Sequence, residues 1–217
     1  MRKSQSGFTL VEIAIVLVII GLLLGGVLKG QELINSAKVR GLISDLEQIR
    51  TATYMYQERF RALPGDDAGV VNHLGAASGA VLATTPNGTV GNGRIDGDWN
   101  SGTASDEAYL FWQHVRIANM LSGTTNTAAA DYPPNNVEGG RLGITGVSPI
   151  AGWAGSIFVC SGNLTGRMAR QIDIRLDDGV SDTGSVRWML GNNIASGAAV
   201  LNANVQDAAV YTLCIAY

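Results

Sequence analysis

The sequence predicts an α+β chain: a long N-terminal spine helix, apolar in its first half and amphipathic in its second, packed by a small loop-rich globular domain with a short antiparallel sheet. Three observations carry this. An apolar run over residues 8–28 continues at helical period as far as Phe60 with no proline to interrupt it. Past Pro64 the composition shifts to Gly, Asn, Asp, Ser and Thr. Two late stretches rich in apolar and β-branched residues, 156–160 and 209–217, each hold one of the chain's two cysteines.

Within 8–28 the single ionisable side chain is Glu12. A helix rising ~1.5 Å per residue would there cross a hydrocarbon core of roughly 30 Å. Arg2 and Lys3 precede the run and would hold the N-terminus on the cytoplasmic side. A secretory signal peptide has the same general form, but this run is longer than its usual apolar region and no small-x-small cleavage site closes it before Lys29. A plain membrane anchor leaves Glu12 unexplained. A carboxylate at depth costs about 2.5–3.5 kcal/mol on insertion scales, so it needs a partner.

Gly7, Phe8, Thr9, Leu10, Val11 and Glu12, behind a short basic leader and ahead of an apolar helix, resemble the processing signal of type IV pilins and type II secretion pseudopilins. The resemblance implies cleavage by a prepilin peptidase between Gly7 and Phe8, methylation of the new Phe8 amine, and assembly with other pilin subunits through the helix. It makes Glu12 the assembly acid, partnered by the ammonium of a neighbouring subunit, an arrangement favoured in a low-dielectric bundle. The expected organisation is then a leader at 1–7, a membrane and assembly half at 8–28, an amphipathic half at 29–63 and a periplasmic head at 64–217, anchored in a bacterial inner membrane before assembly. Many type IV pilins carry a proline in the apolar half; its absence here leans toward a pseudopilin or minor subunit.

Beyond Lys29 the positions Ile34, Ala37, Leu42, Leu46, Ile49, Thr53, Tyr56 and Phe60 mark one stripe with charges between them, and Pro64 ends the helix. Gly21, Gly25, Gly26 and Gly30 permit close backbone approach, as small residues do between membrane helices. The phrase Leu63, Pro64, Gly65, Asp66 resembles a subset of bacterial pilin-like proteins.

The stretch 64–106 reads as a long irregular loop, with Asn87 and Asn92, each before a glycine, as turn formers. Inside it Asp96, Asp98 and Asn100 fall at the first, third and fifth positions of a calcium-loop pattern and Glu107 at its twelfth. Ser101 stands where that pattern needs its turn glycine, and no helix precedes it, so a solvated loop of Asx turns is the competing reading. The calcium reading carries an alternative function, a minor or tip pilin acting as a calcium-dependent binding or adhesion module.

Next, Ala108, Phe111, Trp112, Val115, Ala118 and Leu121 predict a short amphipathic helix capped by Ser105 or Asp106, its aromatics facing the spine. Residues 123–152 read as loop. The segment 168–176 suits a helix, although Ile172, Ile174 and Leu176 also alternate as a strand would. Asp173, Asp177, Asp178 and Asp182 follow as a turn with a metal site as the weaker alternative, in a region that resembles pilin C-terminal segments. Cys160 and Cys214 would pair in an oxidising compartment, constraining the unfolded chain by ~4 kcal/mol.

The residues exclude several functions. A net charge of −3 gives no footprint for nucleic acid. His73 and His114 stand apart from any metal-spaced set, and no nucleophile elbow or phosphate loop is present, so the sequence does not read as an enzyme.

Overall fold

The computed structural model describes residues 9–86 and 88–217. The expected leader and cut site, with Gly7 and Phe8, lie outside the described residues, as does Asn87. Chain contacts divide the protein into two units, Met1–Arg40 and Gly41–Tyr217, with the boundary inside the first helix.

That helix, α1, is Leu10–Phe60. Its end has a local cause. Arg61 adopts a left-handed φ of 57°, and Pro64 bars its predecessor from helical geometry. In the first unit every side chain over 10–28 is exposed. In the second unit Leu42, Leu46, Ile49, Thr53 and Tyr56 are buried at alternating steps of four and three, and Thr53 Oγ1 satisfies itself on the Ile49 carbonyl (2.8 Å). The expected stripe is shorter than its sequence period: Ile34 is 60% exposed.

The remaining elements belong to the second unit. They are α2 (Val70–Leu74), α3 (Glu107–Ile117), β1 (Leu142–Thr145), β2 (Phe158–Thr165), α4 (Gly166–Leu176), β3 (Val186–Leu190) and β4 (Val210–Ala216). The strands form one antiparallel sheet in the order β1-β2-β4-β3, with Cys160 opposite Cys214. The fold is α+β, a long apolar N-terminal helix with a small four-stranded domain, as the sequence predicts.

Two corrections concern strands. The segment 123–152 is not all loop, since β1 lies within it. Gly143 sits in that strand because the Trp99 carbonyl presses on its backbone where any Cβ would collide. β3 is a second strand beyond the two that the sequence predicts. The ambiguous segment resolves as helix α4: Ile172 is fully buried while Ile174 is 62% exposed, whereas a strand would set both on one face.

The stretch 64–106 also departs from a solvated loop. It sends Ile95 and Trp99 into the core, where Trp99 packs with Ile150, Trp153, Phe158, Met189 and the paired cysteines. α3 is buried on nearly every side rather than on one stripe. Asp106 occupies its N-cap position without capping it, because that carboxylate instead accepts the hydroxyls of Thr85 (2.5 Å) and Ser101 (2.6 Å).

Candidate functional site: the N-terminal helix and its anchor in the head

The first turn of α1 is built by two side chains three residues apart. Thr9 is the residue before the helix, and its N–H and Oγ1 both donate to Glu12 Oε2 (2.8 and 2.7 Å). The Glu12 N–H returns a longer bond to Thr9 Oγ1 (3.3 Å). This reciprocal arrangement is a capping box, satisfying donors that a helix start leaves orphaned. Glu12 is therefore partnered within its own chain, a role that its spacing from Thr9 already spelled. Among the described residues Glu12 Oε1 carries no hydrogen bond.

Along 10–28 the helix is apolar but for Glu12, and every one of these residues is exposed among the described residues. Among the described residues one helix, Leu10–Phe60, is long and apolar enough to cross a membrane. Gly21, Gly25, Gly26 and Gly30 have open space beside their backbones.

At the other end, the turn after Phe60 ties the helix to the head. Gly65 has a φ of +93°, and a Cβ there would collide with the Glu107 carbonyl. The Gly65 N–H donates to His114 Nδ1 (2.9 Å), so His114 holds its proton on Nε2 and donates it to the Val81 carbonyl (2.8 Å). Burial holds this imidazole below the ordinary histidine range, against the opposing pull of the Val81 carbonyl and Asp67.

Asp66 accepts four backbone N–H groups, those of Gly91, Asn92 (3.1 Å), Gly93 (2.7 Å) and Arg94 (3.1 Å). Asp67 accepts the Tyr56 hydroxyl (2.7 Å), the Gly69 N–H (2.8 Å) and His73 Nδ1 (2.8 Å). These two buried carboxylates replace water with protein donors and pin the following segment to the end of α1. The sequence marked the Leu-Pro-Gly-Asp phrase but not this role, since the donors to Asp66 arrive some 25 to 28 residues later.

The structure does not gather the calcium-loop residues about one point. Asp96 is buried and receives Arg94 Nε (2.5 Å) and Asn92 Nδ2 (2.9 Å), while its own N–H donates to Glu107 Oε2 (2.7 Å). Asp98 is exposed, and the Asn100 amide donates to the Asn193 carbonyl (2.7 Å). Trp99, between Asp98 and Asn100, is buried and turns the loop toward the core. Glu107 is pushed up to about 7, chiefly by burial, with the Asp96 N–H and Arg94 opposing and Asp66 and Asp96 adding to it.

Among the described residues the one acidic group close enough to share an ion is Asp173, Asp177 and Asp178. Protein donors already meet it. Asp173 takes Trp188 Nε1 (2.9 Å) and the Gly179 N–H (3.0 Å), Asp177 takes the N–H groups of Ser185 (2.5 Å) and Val186 (3.0 Å), and Asp178 takes the Thr183 hydroxyl (2.6 Å). Cys160 and Cys214 are disulfide-bonded across β2 and β4, both fully buried.

The apolar half of α1 opens on a capping box and is exposed over 10–28, and the second unit holds a buried core of its own. Residues 2–28 match the family model described as the prokaryotic N-terminal methylation motif. The chain thus carries the prepilin-type signal of type IV pilins and pseudopilins, a structural rather than enzymatic class. This signal and the apolar helix are consistent with membrane anchoring. No curated protein and no solved structure matches the chain.

Proposed function

We propose that this protein is a structural subunit of a type IV pilus or type II secretion pseudopilus, cleaved between Gly7 and Phe8 and assembled through its N-terminal helix. The observation that carries the reading is the methylation motif at 2–28 running into a helix whose apolar residues over 10–28 are exposed among the described residues. Lipid covers that surface before assembly and neighbouring helices cover it afterwards, so one apolar face serves both environments. In this reading the divisions are a leader at 1–7, an assembly half at 8–28, an amphipathic half at 29–63 and a periplasmic head at 64–217.

Glu12 has two tasks under this proposal. It closes the capping box with Thr9, and its charge meets the methylated Phe8 ammonium of a neighbour when subunits pack. Prepilin peptidase and other pilin subunits are the partners. N-terminal mass spectrometry of protein extracted from membranes tests the processing step: a chain beginning at methylated Phe8 is expected, and a chain that retains its leader overturns the proposal.

A further inference from the structure

A buried guanidinium that forms no ion pair among the described residues lies near the end of α3. It belongs to Arg116, which is 7% exposed. Its Nη1 donates to the Thr124 carbonyl (2.9 Å), while its buried Nε has no acceptor. Removing a guanidinium from water is costly unless an anion or a full set of acceptors meets it, and one carbonyl does not supply that. Burial lowers its proton affinity, with Tyr132 and Asp131 opposing.

The guanidinium is also held rigidly. Its Cζ lies 5.4 Å from the centre of the Trp112 ring and 5.3 Å from that of Tyr132. Gly123 closes against it so tightly that a Cβ there would come within 2.6 Å of Nε. A planar cation fixed between aromatic rings is organised for a planar oxyanion before that anion arrives, and an ammonium on a flexible stem would not be.

Arg116 borders a cleft of about 170 Å³ between α1 and α3, with Asp45, Gln48, Trp112, Ser122 and Asn135 also in its walls. We propose that this cleft binds a small carboxylate, with Arg116 as the residue that recognises it. The volume admits a group of a few heavy atoms, and Gln48, Ser122 and Asn135 add hydrogen-bonding groups to the walls. Asp45 sets the charge of the ligand. Its carboxylate is half-buried in the same cleft, where a dianion meets stronger repulsion than a monoanion does. The carboxylate comes either from a free small acid or from an aspartate or glutamate side chain of a partner protein.

The test uses the full-length protein in detergent at pH 7.5, with thermal unfolding and calorimetry read against sodium chloride at equal ionic strength. The probes are sodium acetate, a blocked aspartyl peptide and inorganic phosphate. Saturation by acetate identifies a free small acid as the source; a response confined to the aspartyl peptide identifies a protein side chain. Asp45→Asn, which leaves Arg116 in place, is expected to tighten binding of the responding probe several-fold by removing a like charge, and Arg116→Met to abolish it. A response to neither carboxylate in both wild type and Asp45→Asn overturns the site. Binding unaltered by Asp45→Asn, binding that survives in a folded Arg116→Met, or preference for phosphate overturns it as well.

Discussion

Asp66→Asn is the substitution that most directly probes how the head is locked to the end of α1. The change is nearly isosteric, so it opens no cavity. It does replace one carboxylate oxygen by an NH₂ group. In the native protein both oxygens accept: Oδ1 from Gly91 and Asn92, and Oδ2 from Gly93 and Arg94. An asparagine oxygen can keep one of these pairs, and its amide then faces the other two N–H groups with donors of its own. Each buried donor left unsatisfied costs about 1–3 kcal/mol, and the loss of charge weakens the pair that survives, so about 3–5 kcal/mol is expected in all. For a chain of this size each kcal/mol shifts the midpoint by about 2–4 °C, giving a fall of roughly 6–20 °C. Thermal unfolding of the full-length protein in detergent, followed by near-ultraviolet circular dichroism, measures this. A midpoint within 2 °C of wild type would refute the claim that Asp66 pins the segment 91–94.

Glu107→Gln tests the buried acid at the start of α3. Its folded pKa of about 7 lies above the unfolded carboxylate value, so the stability it lends is fully present below about 4.5 and is lost as pH rises through 7. The Gln variant can still accept the Asp96 N–H, and it should gain on wild type by about 2 kcal/mol between pH 5 and pH 8; an unchanged difference across that range contradicts the assignment. Replacing Cys160 and Cys214 together by alanine should cost about 4 kcal/mol, read as a lowered denaturant midpoint against the oxidised wild type, and equal midpoints would count against that contribution. Calcium at millimolar concentration should leave the unfolding midpoint unmoved, and a rise of several degrees that Asp98→Ala removes would restore the residues 96–107 as an ion site. Glu12→Ala should insert normally but enter filaments poorly, which co-purification with assembled filaments checks.

The parts of the fold legible in the sequence are those decided by nearby residues. α1 needed only an unbroken helical period and Pro64, and α4 needed only its apolar spacing once the strand alternative was set aside. What was hidden depends on residues distant along the chain. β1 owes its Gly143 to the Trp99 carbonyl, so that glycine reads as loop although it makes room for a neighbouring backbone. The segment 64–106 looks polar by composition, yet Ile95 and Trp99 bury it and Asp66 and Asp67 satisfy its backbone and side chains from within. The same interior partners explain the calcium-like spacing. Asp96 and Glu107 sit close, as the pattern requires, but Arg94, Asn92 and a backbone N–H occupy their oxygens. At the N-terminus the apolar run and its acid are plain in the sequence, and so is the capping box, since threonine three residues before glutamate is its signature.

That capping box separates two explanations of Glu12 that the sequence alone merges. An acid in the first turn of a helix is favourable for local reasons: it accepts the orphaned Thr9 donors and sits at the positive end of the helix dipole. Those reasons are worth about 1 kcal/mol and need no neighbouring subunit. Assembly asks for something further, a charge that offsets an ammonium in a low-dielectric bundle. Glu12→Gln divides the two, because a glutamine oxygen can still accept from Thr9 while carrying no charge. If capping were the whole role, Glu12→Gln would enter filaments as wild type does and only Glu12→Ala would fail. If the charge meets the Phe8 ammonium of a neighbour, both variants fail alike, and circular dichroism in detergent finds the helix of Glu12→Gln intact. The proposed function requires the second outcome.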